Sequence, residues 1–327
     1  MQRSAFSFAV LVLALGVTVA LVDLVRLQQA TLVIYTTPAL RDLLEQFVVP
    51  TFHRATGVQV SLIYVSAGEQ YNRVRMSGGS PEADVFLHAS PLFIEKGFAE
   101  GHFVAFDLSR NASIPTAFKS REVPGGHLWY AFGWSPLVEV YKPALGAAPD
   151  LASINIPFGF PHPQLSNNGI YAVLFFQSRS PSAGAQALAH TVVQPANARA
   201  NILGIADGSF DVTLGYEAVT LFYLKQGAKV ASDLPLLSGQ HIVEPVILSA
   251  GLVYGHQNPR SQEFIEFLFS DDVQGNMSRF SFRSAVPGFS DPSGGISLPA
   301  PGAANVTYDW SQWPSLEANL TKYIVGG

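Results

Sequence analysis

The 327-residue chain contains no cysteine, and only 13% of it is charged. The first absence removes disulfide scaffolds, thiolate zinc sites, iron–sulfur clusters and thiol nucleophiles together. The second, beside 48% hydrophobic residues, rules out a disordered chain and supplies enough apolar surface for about two cores. No basic run exists either. The 19 Lys+Arg are outnumbered by 24 Asp+Glu, for a net charge of −5, so there is no electrostatic footprint for nucleic acid. The 8 histidines never fall into His-x-x-x-His or His-Glu-x-x-His, which leaves a zinc hydrolase unsupported. Neither Gly-x-Gly-x-x-Gly nor a P-loop occurs, so no metal or cofactor is expected.

Ala5 to Val22 is an unbroken stretch of 18 uncharged, mostly apolar residues, with Arg3 before it and Asp23 and Arg26 after it. A signal-peptide core is about 7 to 15 residues and a membrane-spanning helix needs about 17 or more. Residues 1–30 are therefore read as an export signal or membrane anchor, with an uncleaved anchor slightly favoured. Without them 17 basic residues face 23 acidic ones, in a mildly acidic extracytoplasmic part. Asn-x-Ser/Thr triplets at Asn111, Asn276, Asn305 and Asn319 agree with export but arise readily by chance.

From Thr31 onward, strand and helix patterns alternate, the signature of an α/β layer fold with a largely parallel sheet. Leu32–Tyr35, Val58–Val65 and Ala83–Leu87 read as strands, with helices over Pro38–Thr56 and from Ser66 to Arg75. A second group follows: helices from Gly169 to Gln177 and Ala196 to Asp207, a strand over Asp211–Leu214, and a helix over Ala218–Lys225. Two extended stretches, Trp129–Tyr141 and His241–Tyr254, are suited to carry the chain between the groups. Ser261–Phe269 is an amphipathic helix, and 287–304 reads as a loop. The expectation is two doubly wound α/β lobes joined by two crossover strands. Lobe one comprises 31–134 plus 255–327, and lobe two 135–254.

LVIYTTPALRDLLEQFVVPTFHRATGVQVSLIYVSAGEQ, SPEADVFLHAS, DGSFDVTLGYEAVTLFYLKQGAKV and NPRSQEFIEFLFSDDVQGNMSRFSFRSAVPG occur in that order. Together they resemble the type II solute-binding proteins of ABC importers, in the cluster that binds molybdate, tungstate, sulfate, phosphonates or ferric ion. The resemblance spans nearly all of residues 31 to 288. It implies a periplasmic or cell-surface monomer that closes two lobes over a small anion and delivers it to a membrane ABC permease, with no covalent chemistry. It also implies a ligand-contacting tyrosine at Tyr216. Ferric-binding members carry adjacent tyrosines after this strand, where Ala218-Val219 stands here. Archaeal-type molybdate and tungstate binders place carboxylates where Ser166 and Gly215 stand. Both departures favour a tetrahedral oxyanion held by hydrogen bonds.

In such sheets a ligand lies beyond the carboxyl ends of the strands, where helix N-termini present unpaired N–H groups. Three strand-to-helix turns carry small hydroxyl, amide or glycine residues: Thr36-Thr37, Ser66-Ala67-Gly68 and Ser166-Asn167-Asn168-Gly169. Each by itself is ordinary helix-capping chemistry; their recurrence at equivalent places in both groups, together with the family resemblance, points to an anion site. Ser135 joins the set from the first crossover. Gly133-Trp-Ser135-Pro-Leu137 starts like a hydrolase elbow but lacks the closing glycine, so an extracytoplasmic hydrolase has no assembled triad and is the lesser alternative. Ferric-ion, phosphonate and organic-solute binding on the same fold remain open alternatives. His88 and His162 lie near strand ends and are expected to be structural. The aromatic cluster Trp129, Tyr130, Phe132 and Trp134 suits packing between the crossovers better than ligand stacking.

Overall fold

A computed structural model describes residues 31–255, 258–298 and 308–325. The hydrophobic stretch 5–22, and with it the signal or anchor reading, lies outside the described residues, as do Asn305 and part of the expected 287–304 loop.

The chain opens with strand β1 (Leu32–Thr36) and a 3-10 turn at Pro38–Leu40, which leads into helix α1 over 41–56. In mid-course α1 widens to a π turn at Leu44–Val48. Pro50 follows at once and has no N–H to return to the carbonyl four residues back, which accounts for the wider turn. Next come β2 (Val60–Tyr64), α2 (Ala67–Met76), β3 (Val85–His88) and α3 (Leu92–Ala99). β1 pairs in parallel with both β2 and β3, giving the order β2-β1-β3 and the β-α-β-α-β winding expected.

β4 (Tyr130–Tyr141) runs twelve residues, nearly all buried. The second group follows: β5 (Phe158–Gly159), α4 (Asn167–Arg179), α5 (Pro181–Ala189), β6 (Thr191–Val193) and α6 (Ala198–Asp207). β7 (Val212–Tyr216) and α7 (Glu217–Lys225) complete it. β8 (Pro245–Val253) returns antiparallel to β3 and β4. The chain ends in α8 (Ser261–Leu268), α9 (Asp271–Asn276), a short β9 (Arg283–Ser284) on β4, and α10 (Trp313–Thr321).

β4 is the backbone of the join. Its first half, through Pro136, pairs with β8, and its second half, from Leu137, pairs with β7. The exchange of partner falls where Pro136 faces Pro245. Proline has no N–H for the ladder, so two facing prolines end one pairing where the next begins. The sheet order is therefore β2-β1-β3-β8-β4-β7-β5-β6, with parallel strands at both ends and antiparallel crossovers between.

Both halves are filled by large apolar side chains, with Phe52, Phe86 and Phe264 buried on one side and Phe158, Phe160 and Phe176 on the other. Expected elements and observed ones agree within a few residues. Helices α3, α5, α9 and α10 were not anticipated.

Candidate functional site

A cavity of about 760 Å3 opens over the carboxyl ends of β1, β2 and β7. The first half contributes Thr37, Tyr64 and Ser66, and the second contributes Ser166, Asn167, Asn168 and Tyr216. All but Tyr64 were singled out by the strand-to-helix turns or by the resemblance. The two halves meet at its edge: a Cβ on Gly68, in the first turn of α2, would sit 3.3 Å from the backbone oxygen of Gln164.

The hydroxyls here are not used as helix caps. Ser66 precedes α2, Ser166 precedes α4 and Thr37 precedes the 3-10 turn, yet none of the three side chains accepts a hydrogen bond from its own helix. Away from these turns, Ser180 and Ser270 do cap, accepting from Ala183 N–H and Val273 N–H. First-turn amides without a cap need another acceptor.

Buried polar atoms without partners accompany them. Asn168 is 1% exposed, and neither of its side-chain amide atoms has a partner among the described residues. Among the described residues the Tyr216 hydroxyl and Asn167 Oδ1, also on the wall, are likewise without partners. Each such group costs about 1 to 3 kcal/mol while unpaired, which a complementary ligand recovers. Burial, with Tyr171 nearby, pushes the Tyr216 phenol well above its ordinary range. It therefore stays protonated and acts as a donor.

Among the described residues four charged ones line the cavity, and three are occupied. Arg41 lies over the Tyr64 ring at 4.3 Å and 3.9 Å from Glu45. Glu69 pairs with Arg73 at 2.7 Å, and Asp42 accepts from Gln46 at 2.9 Å. Arg199, exposed at the start of α6, has no ion pair or hydrogen bond from its side chain among the described residues. Arg41 and Arg199 revise the expectation of a site built only from uncharged donors. Arg199 escaped the sequence reading because only the placement of α6 turns its second residue to the cleft.

The remaining candidates fall differently. Thr36 is fully buried behind the wall that Thr37 faces. Ala67 and Gly68 form the first turn of α2. Gly169 lies behind the wall, where a Cβ would come within 2.4 Å of the His162 carbonyl oxygen; only glycine lets that turn fold so tightly. Ser135 does not line the cavity: its hydroxyl accepts from Ala218 N–H at 3.0 Å, capping α7 across the crossover. His88 is buried and bonded to the Ser90 carbonyl at 3.0 Å, and burial lowers its pKa to about 4. His162 accepts from Gln164 N–H within its own turn. Trp129 donates to Glu95 at 2.8 Å and Trp134 to the Ser284 carbonyl at 3.1 Å, so the aromatic cluster packs the crossover.

Fold and cleft together give an α/β sheet wound in two groups, with a cavity at the switch of winding where open sheets of this kind take ligands. The chain belongs to the bacterial extracellular solute-binding protein family, whose sequence pattern matches residues 32–283. No curated protein matches it in sequence. Among solved structures it resembles the periplasmic binding protein AfuA of Actinobacillus pleuropneumoniae, with fructose-6-phosphate bound. That match has a TM-score of 0.75 and 15% identity, covering 90% of this chain and 97% of the other. It also resembles a periplasmic thiamin binding protein, with a TM-score of 0.73 and 18% identity over 90% and 95% of the two chains. Iron-bound HitA of Pseudomonas aeruginosa gives a TM-score of 0.69 and 16% identity over 89% and 99%. These likenesses establish the type II periplasmic binding fold. The family makes the chain an extracytoplasmic solute receptor of the ABC-importer type, with a small ligand and a permease as partners.

Proposed function

We infer that the ligand is a small anionic solute, gripped between the first turns of α2 and α4 and released to the permease. The observation that carries this reading is the uncapped state of the Ser66 and Ser166 helix starts beside the unpartnered Asn168 and Tyr216 side chains. Helix N-termini favour negative charge, and the donors come from both halves, so a ligand touching both favours the closed form. The proposed lobes are 31–134 plus 255–327 and 135–254, hinged where Pro136 faces Pro245, in a monomer exported by residues 1–30.

Ferric ion fits less well. Iron favours anionic oxygen ligands, and the carboxylates on the wall, Glu69 and Asp42, are engaged by Arg73 and Gln46. A bare oxyanion of the molybdate or sulfate type suits the neutral donors, whereas a cavity of about 760 Å3 has room for an organic molecule bearing the anion.

A thermal-shift panel of molybdate, tungstate, sulfate, phosphate, phosphonates, organic phosphates and ferric citrate tests the reading. A selective rise with one anion class supports it, because a ligand specific for the folded state stabilises by mass action. A rise with ferric citrate alone, or with cations only, refutes it.

A further inference from the structure

Resting on that anion reading, we propose that the ligand carries a flat unsaturated ring as well as its anionic group. The ring lies between Phe222 of α7 and Phe280 of the opposite half, and the anion lies toward Asn168 and Tyr216.

The geometry of α7 points to this arrangement. Tyr216 stands immediately before the helix, and Ala218, Val219, Phe222 and Tyr223 all line the cavity. Those spacings mark one stripe of a helix. The stripe follows the Tyr216 phenol with apolar Ala218, Val219 and Phe222 and carries one further hydroxyl on Tyr223, and at 1.5 Å per residue Phe222 stands about 6 Å beyond Ala218 along the axis. Phe222 is 38% exposed, touching Tyr223 edge-on with centroids 5.1 Å apart. Phe280 faces the same space from the other half and is backed by Phe47 at 6.1 Å. Aromatic faces on two walls complement a planar guest, and offset stacking adds to the area buried.

The chemistry of these walls distinguishes such a ring from a sugar. A sugar places a hydroxyl on nearly every carbon, and each needs a partner when buried. Val219, Phe222, Phe280 and Phe282 offer no polar side-chain atom, whereas Asn167, Asn168 and Tyr216, unpartnered among the described residues, stand at the starts of α4 and α7. Arg199, without a partner among the described residues, brings a positive charge to the same cavity.

Calorimetric titration of the full chain with phenyl phosphate, glucose 6-phosphate, inorganic phosphate and benzylamine tests the proposal. Phenyl phosphate is expected to bind about tenfold or more tighter than either other phosphate, the scale of one good aromatic contact plus ring burial. Phe222→Ala is expected to bring phenyl phosphate down to the affinity of inorganic phosphate while the circular-dichroism melting curve stays as it was. Glucose 6-phosphate binding as tightly as phenyl phosphate, or a Phe222→Ala variant that keeps the preference, overturns the ring and leaves the anion site standing. Binding of benzylamine with none of the phosphates overturns the anion reading and this proposal with it.

Discussion

A hydroxyl at the start of a helix either satisfies its own first turn or is left for something else, and Ser66 and Ser166 are left. Ser66→Ala and Tyr216→Phe should each weaken anion affinity by about 1 to 3 kcal/mol, the range for losing a partner of a buried polar group. Calorimetry on both variants checks this, and unchanged affinity in both removes them from the site. Ser180→Ala, which loses a true cap at α5, should instead cost about 1 kcal/mol of stability with no change in affinity. At this scale the turns were legible because small hydroxyls between a strand and a helix are local signals, whereas Tyr216 was expected only from the family resemblance. It did not reveal Arg199 or Phe222, whose direction is set by how α6 and α7 sit over the sheet. Ser135 looked like a contact and proved to be a cap on a distant helix, a relation no local pattern carries.

Among the elements, the crossovers bear the electrostatic burden. Glu244, immediately before β8, is fully buried with Arg179 3.9 Å away, and burial moves its carboxyl from the ordinary 4.5 up to about 7. A raised carboxyl is ionised more easily in the unfolded chain, so its contribution is present below about 4.5 and lost as pH rises through about 7. Glu244→Gln should match the parent in chemical denaturation at pH 4.5 and exceed it at pH 8, by up to about 3 kcal/mol. The opposite ordering would contradict the assignment. Arg283, on β9, reaches across to Glu217 of α7 at 3.1 Å and to the Ile296 carbonyl at 3.0 Å. Removing one partner strands a buried charge, so Arg283→Ala should lower unfolding free energy by about 3 to 5 kcal/mol, read from urea titration. The strands were legible because apolar and β-branched residues cluster in them. Helix α3, buried on most of its surface, lacks the polar face that makes a helix visible in sequence. The compositional signal at α5 is Pro-Ser-Ala-Gly, which reads as loop.

For the whole molecule, winding order places the site. The carboxyl ends of β1 and β2 in one half and of β7 in the other converge on one cleft, and Pro136 and Pro245 mark the strand exchange between them. The C-terminal segment crosses the same division: Glu317 of α10 pairs with Lys96 of α3 at 2.7 Å, and Tyr323 accepts from Gln177 of α4 at 2.8 Å. Alternating strand and helix patterns made the two-group architecture legible, whereas this clasp depends on contacts between residues far apart in the chain. Saturating anion should shrink the radius of gyration in small-angle scattering; a constant radius argues against closure.

The central claim is that main-chain amides at two facing helix starts hold the anion, and backbone amide NMR during a titration reads those groups directly. The account predicts that the largest saturable amide shifts fall at residues 67–69 and 167–168 together, with one shared affinity. Shifts confined to one of these turns, or lying elsewhere on the surface, would contradict it.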